Sequence, residues 1–123
     1  MFESASTLAV YVTDMARAKK FYTEVLKFEV SADLGPELCF LKAQSGKFYI
    51  YLKAGNTPHP VDDTMCRLGF FLRSKKSATE TLAQLKSAGV TVLQDEPEQV
   101  GDDTACFQFK DPDGNIIDVA GSL

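Results

Sequence analysis

With 123 residues, 45% of them hydrophobic and 24% charged, the chain has the composition of one ordinary globular domain rather than a disordered or fibrous segment. A net charge of -4 and a pI near 4.9 argue against nucleic acid or anionic lipid as partners, since both would repel this surface. A small molecule is the remaining class. Cys39, Cys66 and Cys106 are odd in number and lack CxxC spacing, so they read as reduced thiols rather than a disulfide framework or zinc knuckle. Glu3 replaces a basic leader region and the apolar run Leu8 to Val12 is too short to span a bilayer, so a cytoplasmic protein with no membrane partner is expected.

In chain order, Leu8-Ala9-Val10-Tyr11-Val12 reads as a first strand. Asp14 then N-caps a helix whose apolar stripe is Met15, Ala18, Tyr22, Val25 and Leu26. Strands follow at Phe28 to Ser31, around Cys39-Phe40, and at Phe48 to Leu52. Residues 54–64, rich in Gly, Pro, Asn and Asp, read as a linker. The same order then returns. A strand over Arg67 to Arg73 precedes Ser77-Ala78-Thr79-Glu80, a capping box that opens a helix with Leu82 and Leu85 inward and Gly89 as its stop. Further strands fall at Val90 to Leu93, around Cys106-Phe107, and at Ile116 to Val119.

The first strands of the two halves lie 60 residues apart, and Cys39-Phe40/Cys106-Phe107, Gly46/Gly114 and Tyr51-Leu52/Asp118-Val119 match at 67 or 68. The expectation is therefore a single α+β domain of two tandem βαβββ modules, residues 5–53 and 65–121, with eight strands and two principal helices. Leu8, Val10, Phe21, Val25, Phe48, Ile50, Phe70, Leu82, Leu85 and Val119 are expected to be largely buried.

The opening Val12-Thr13-Asp14-Met15 through Phe21-Tyr22-Thr23-Glu24-Val25-Leu26 resembles the strand-then-D-x-x-x-A-x-x-FY-x-x-x-L start of the glyoxalase/bleomycin-resistance (vicinal oxygen chelate) superfamily. The closing Phe109-Lys110-Asp111-Pro112-Asp113-Gly114-Asn115 followed by Ile116-Ile117-Asp118-Val119 is similar to its F-x-DPDGN-x-x-E-L end. The resemblance covers essentially the whole chain. It implies curled mixed sheets forming an open cup lined by the sheet faces away from the helices, commonly within a twofold homodimer.

Strand alternation sorts the residues to be placed there. The cup is expected to carry Thr7, Tyr11, Cys39, Leu41, Tyr49, Tyr51, Arg67, Phe71, Cys106, Gln108, Ile116 and Asp118. Of these, Thr7, Tyr11, Tyr49, Tyr51, Arg67, Phe71, Gln108 and Asp118 are the candidate ligand-binding residues. Apolar walls with a few convergent polar groups suit a small-molecule pocket.

Metal-dependent relatives place His, Gln or Glu at four positions that the resemblance carries onto Thr7, Tyr51, Arg67 and Asp118. Only Asp118 is a plausible ligand, and an arginine beside it would repel a cation, so neither a metal nor another cofactor is expected. His59, between two prolines of the linker, is read as exposed. No residue is assigned a catalytic role. Arg67 and Asp118 are either a structural ion pair or a ligand clamp in which Asp118 orients the guanidinium. The resemblance implies a binding protein of the bleomycin-resistance type that sequesters an amphipathic small molecule. The alternative is a lyase, isomerase or dioxygenase of the same superfamily with a non-standard site.

Overall fold

The computed structural model describes residues 1–4, 7–43, 47–56 and 69–123. The chain divides into two compact units, residues 1–62 and 63–123. In the first, β1 (Thr7–Tyr11) leads into α1 (Met15–Lys20). Asp14 is its N-cap, in extended backbone, and its carboxylate accepts from the backbone N–H of Arg17 at 3.1 Å, satisfying one of the donors a helix start leaves open. The helix runs on as one π-helical turn, Phe21–Val25, closed by the Leu26 N–H on the Phe21 carbonyl. That wider turn accommodates Tyr22, which is fully buried and meets Phe21 and Phe28 edge-on at 5.4 and 5.9 Å.

Strands β2 (Glu29–Asp33), β3 (Leu38–Lys42) and β4 (Tyr49–Lys53) complete the first sheet in the order β1-β4-β3-β2, with β1 parallel to β4 and the other pairs antiparallel. A bulge between Val30 and Ala32 shifts β2, and Asp33 beyond it reaches Lys19 of α1 at 2.6 Å. The Lys19 hydrogen bond and the backbone N–H of Gly35 hold the Asp33 carboxyl below its ordinary 3.8. A carboxyl lowered by folding stabilises above its unfolded value, and that contribution disappears as pH falls through the folded one. Asp33→Asn is thus expected to flatten the loss of stability in acid, read as a smaller difference in urea midpoint between neutral pH and about pH 3.

The second unit holds β5 (Phe71–Ser77), α2 (Ala78–Ser87), the two-residue strands β6 (Thr91–Val92) and β7 (Glu98–Gln99), then β8 (Thr104–Lys110) and β9 (Ile116–Ser122). Ser77 caps α2 by accepting from the Glu80 N–H at 3.2 Å. Gly89 takes the left-handed conformation, φ 82°, that ends it. Sheet order is β5-β9-β8-β6, with β5 parallel to β9 and β7 also on β8. Gly121 lets α2 seat on β9, because a Cβ there would come 2.9 Å from the Ala78 backbone nitrogen.

Each unit thus repeats a βαβββ-like order, with three corrections to expectation. The sheets do not curl or close into a cup. They are open mixed sheets that end in edge strands, β1 and β2 in one and β5 and β6 in the other. Closure requires matched tilt and repeated bulges or kinks, whereas the described strands show one register shift per sheet. The described residues also hold nine strands rather than eight, since Glu98–Gln99 pairs with Ala105 and Cys106 along the edge that β6 covers only at Phe109 and Lys110. Phe48 is 37% exposed; it precedes the first residue of β4, where the buried stripe ends. Val10, Ile50, Leu82, Leu85 and Val119 are buried, and Leu8, Phe21, Val25 and Phe70 are half-buried. No helix among the described residues is long and apolar enough to cross a membrane.

Candidate ligand-binding faces

Each sheet has one face of buried side chains and one of half-buried or exposed ones, and pairing register fixes which residue stands where. In the first unit Val10, Leu52 and Cys39 form one row and Leu8, Ile50 and Leu41 the next on the inner face. Cys39 and Leu41, expected on the ligand face, are instead fully buried. The reason is a one-residue slip in the repeat. Phe40 opposes Tyr51 as Gln108 opposes Asp118, so β3 and β8 correspond at an offset of 68 while β4 and β9 correspond at 67. A slip of one exchanges the faces of a strand. Matching Cys39 with Cys106 therefore put the former on the wrong side.

The outer face of the first sheet carries three rows: Thr7, Tyr49 and Lys42; Ala9, Tyr51 and Phe40; Tyr11, Lys53 and Leu38. Thr7, Tyr11, Tyr49 and Tyr51 thus share one face. Phe40, which the sequence did not single out, packs its ring 5.4 Å from that of Tyr51 at a 43° tilt. Lys42 pairs with Glu29 at 3.8 Å and Lys53 with Glu37 at 3.3 Å. The aromatic centre is flanked by neutralised charge.

In the second unit Ala105, Phe107 and Phe109 with Gly121, Val119 and Ile117 form the buried face, and Cys106, Gln108 and Lys110 with Ala120, Asp118 and Ile116 the outer one. Phe71 opposes Asp118 and is 66% exposed. Phe71, Gln108 and Asp118 therefore stand together, whereas Arg67 lies outside the described residues, as do Cys66 and His59. Gln108 donates its side-chain N–H to Asp118 Oδ1 at 2.8 Å. Gln94, in the loop after β6, accepts from the Gln108 backbone N–H at 2.8 Å and donates to Gln108 Oε1. The three form a polar relay across the sheet. Nothing in the sequence marked Gln94, a loop residue after a two-residue strand.

Thr7, Tyr51 and Asp118 supply one carboxylate between them, and that carboxylate already accepts a hydrogen bond. Among the described residues no group of three or more His, Cys, Asp or Glu side chains could hold a metal ion. Neither unit's described residues supply a donor set that fits the metal of metal-dependent relatives.

Burial pushes the Cys39 thiol above its ordinary 9.0, with the Asp33 charge adding to the effect. Cys106 is half-buried on the outer face. Brief alkylation of the native protein followed by peptide mapping is expected to label Cys106 well before Cys39. Equal labelling would contradict the β3 register.

An open mixed sheet behind a helix, made twice in one chain, defines the class. A model of the Glyoxalase/Bleomycin resistance protein/Dioxygenase superfamily matches residues 5–119, and the chain belongs to that superfamily. The uncharacterized protein YetH of Bacillus subtilis (strain 168) is 33% identical over 123 residues, 95% of this chain and 97% of YetH. Among solved structures, TnmS3, an antibiotic binding protein from Streptomyces sp. CB03234, shares the fold at 24% identity and a TM-score of 0.77, over 99% of this chain and 98% of its own. A glyoxalase/bleomycin resistance protein from the same strain is similar at 26% identity and a TM-score of 0.72, over 94% of this chain and 98% of its own.

Proposed function

We propose that this chain is a small-molecule binding protein of the bleomycin-resistance type, holding an amphipathic ligand against the outer sheet faces without a metal. The observation that carries this reading is the chemistry of those faces: half-exposed aromatic rings on the outer face of the first unit and an ordered amide–carboxylate pair on that of the second. Similarity to the antibiotic binding protein TnmS3 supports it. Thr7, Tyr11, Tyr49 and Tyr51 contribute from the first unit, and Arg67, Phe71, Gln108 and Asp118 from the second. The full chain acts as one domain, in the cytoplasm, as a twofold homodimer, the commonest symmetric assembly.

Native mass spectrometry of protein purified from its own host tests this. The expected spectrum is a dimer with a retained organic molecule, displaced on denaturation. A ligand-free protein that also binds nothing in a thermal-shift screen of amphipathic compounds would overturn the reading. Stoichiometric metal that disappears in Asp118→Asn would instead favour a superfamily enzyme.

A further inference from the structure

Asp118 is the one carboxylate on the outer face of β8 and β9, and the structure specifies how it is presented. The backbone N–H of Gln108 can only donate, so Gln94 must turn its oxygen toward it, at 2.8 Å. That leaves the Gln94 nitrogen to donate to Gln108 Oε1, which in turn aims the Gln108 nitrogen at Asp118 Oδ1, at 2.8 Å. The direction of every bond in the relay is set by a fixed backbone donor at one end and agrees with the acceptor-only carboxylate at the other. Gln94 is thereby a positioning residue: it fixes the Gln108 amide plane from behind, and without it that amide keeps its donor preference for the carboxylate but can swing away from Asp118 toward solvent.

The relay occupies Oδ1 and leaves Oδ2. Asp118 has no ion-pair partner among the described residues. Gly69 keeps Oδ2 uncovered, since a Cβ there would lie 3.5 Å from Oδ2 and 3.0 Å from the Ile116 carbonyl oxygen. Beside the carboxylate stand two exposed apolar side chains, Phe71 at 66% and Ile116 at 41%. Arg73 and Lys110 lie one register step to either side on the same face, opposite Ala120 and Ile116, and disfavour a second positive charge nearby.

We propose that Gly69, Gln94, Gln108 and Asp118 form a recognition site for a monocationic amine whose apolar, aryl-bearing body lies on Phe71 and Ile116. Resting on the proposed binding function, this names the ligand class: the ammonium meets Asp118 Oδ2 in a charge-assisted hydrogen bond, and the ring replaces water over Phe71.

The test titrates the full-length protein with phenethylamine, phenethyl alcohol and phenylacetate, following the side-chain amide signals of Gln108 by NMR. The amine is expected to bind about tenfold more tightly than the alcohol, and phenylacetate not at all at this face. Asp118→Asn should erase the preference. Gln94→Met should reduce it, together with the shift that amine binding produces in the Gln108 side-chain amide signals, a readout that a merely structural role would not move. Equal binding of amine and alcohol, absence of binding by all three, or full discrimination in Gln94→Met overturns the site. If the host-purified protein carries a ligand while amine preference is absent, this inference fails and the binding function stands. If neither experiment finds a ligand, both fail.

Discussion

Phe107→Ala is expected to cost about 3–5 kcal/mol of stability, the usual result of emptying a fully buried phenylalanine site. The ring has no exposure and sits on the buried face of β8, opposite Val119. Removing it leaves a cavity that neighbouring backbone hydrogen bonds prevent from collapsing. Since a domain this size is stable by only about 5–15 kcal/mol, the urea midpoint should fall steeply, and Phe107→Leu should recover most of the loss. Phe71 gives the contrast. At 66% exposure on the other face of the same sheet, its change to Ala is expected to move stability by no more than about 0.5 kcal/mol. A midpoint barely changed in Phe107→Ala, or strongly lowered in Phe71→Ala, would mean the faces of this sheet are assigned the wrong way round.

Those faces were legible in the sequence wherever alternation was undisturbed. Val10, Ile50, Leu52, Ile117 and Val119 fell inward as read, and the caps Asp14 and Ser77 do what their spacing implies. What the sequence left open was where the second repeat gains its extra residue. Offsets of both 67 and 68 were visible, and either could be applied to β3. Only backbone pairing settles it, because Cys39-Phe40 and Cys106-Phe107 look alike while facing opposite ways. The first strands slip as well, keeping their faces but making Gly69 rather than Arg67 the counterpart of Thr7. Leu72 opposes Val119 as Val10 opposes Leu52, an offset of 62 rather than 60, and an even slip preserves the face. Gln94 was invisible for a different reason: its role depends on a hydrogen bond to a backbone atom fourteen residues away, which no local pattern encodes. Sheet curvature was carried over from the resemblance and had no residue pattern of its own to support it.

Asp111→Ala should be the second severe change, costing on the order of 3 kcal/mol. Asp111 is buried and organises the turn between β8 and β9. Its Oδ1 accepts from the backbone N–H groups of Asp113 and Asn115 at 2.9 and 2.8 Å, and its Oδ2 from the Asn115 side chain at 2.7 Å. Its own backbone closes the loop through Asp111 N to Asn115 O at 2.9 Å and Gly114 N to Asp111 O at 3.0 Å, with Gly114 at φ 81°. Alanine removes all three acceptor bonds and leaves two backbone donors without their buried partner, the costly half of losing a hydrogen bond. Asp111→Asn keeps one oxygen for those donors but turns an amide toward Asn115, so an intermediate loss is expected. The turn also sets register, because residues 111–115 separate Lys110 from its partner Ile116, and Gln108 from Asp118 two steps further on. If Asp111 fixes that spacing, its alanine variant should lose the distinct Gln108 side-chain amide signals along with stability, in urea titration and NMR of the same sample. Signals that persist at wild-type positions in a destabilised variant would show that β8 and β9 hold their register without the turn.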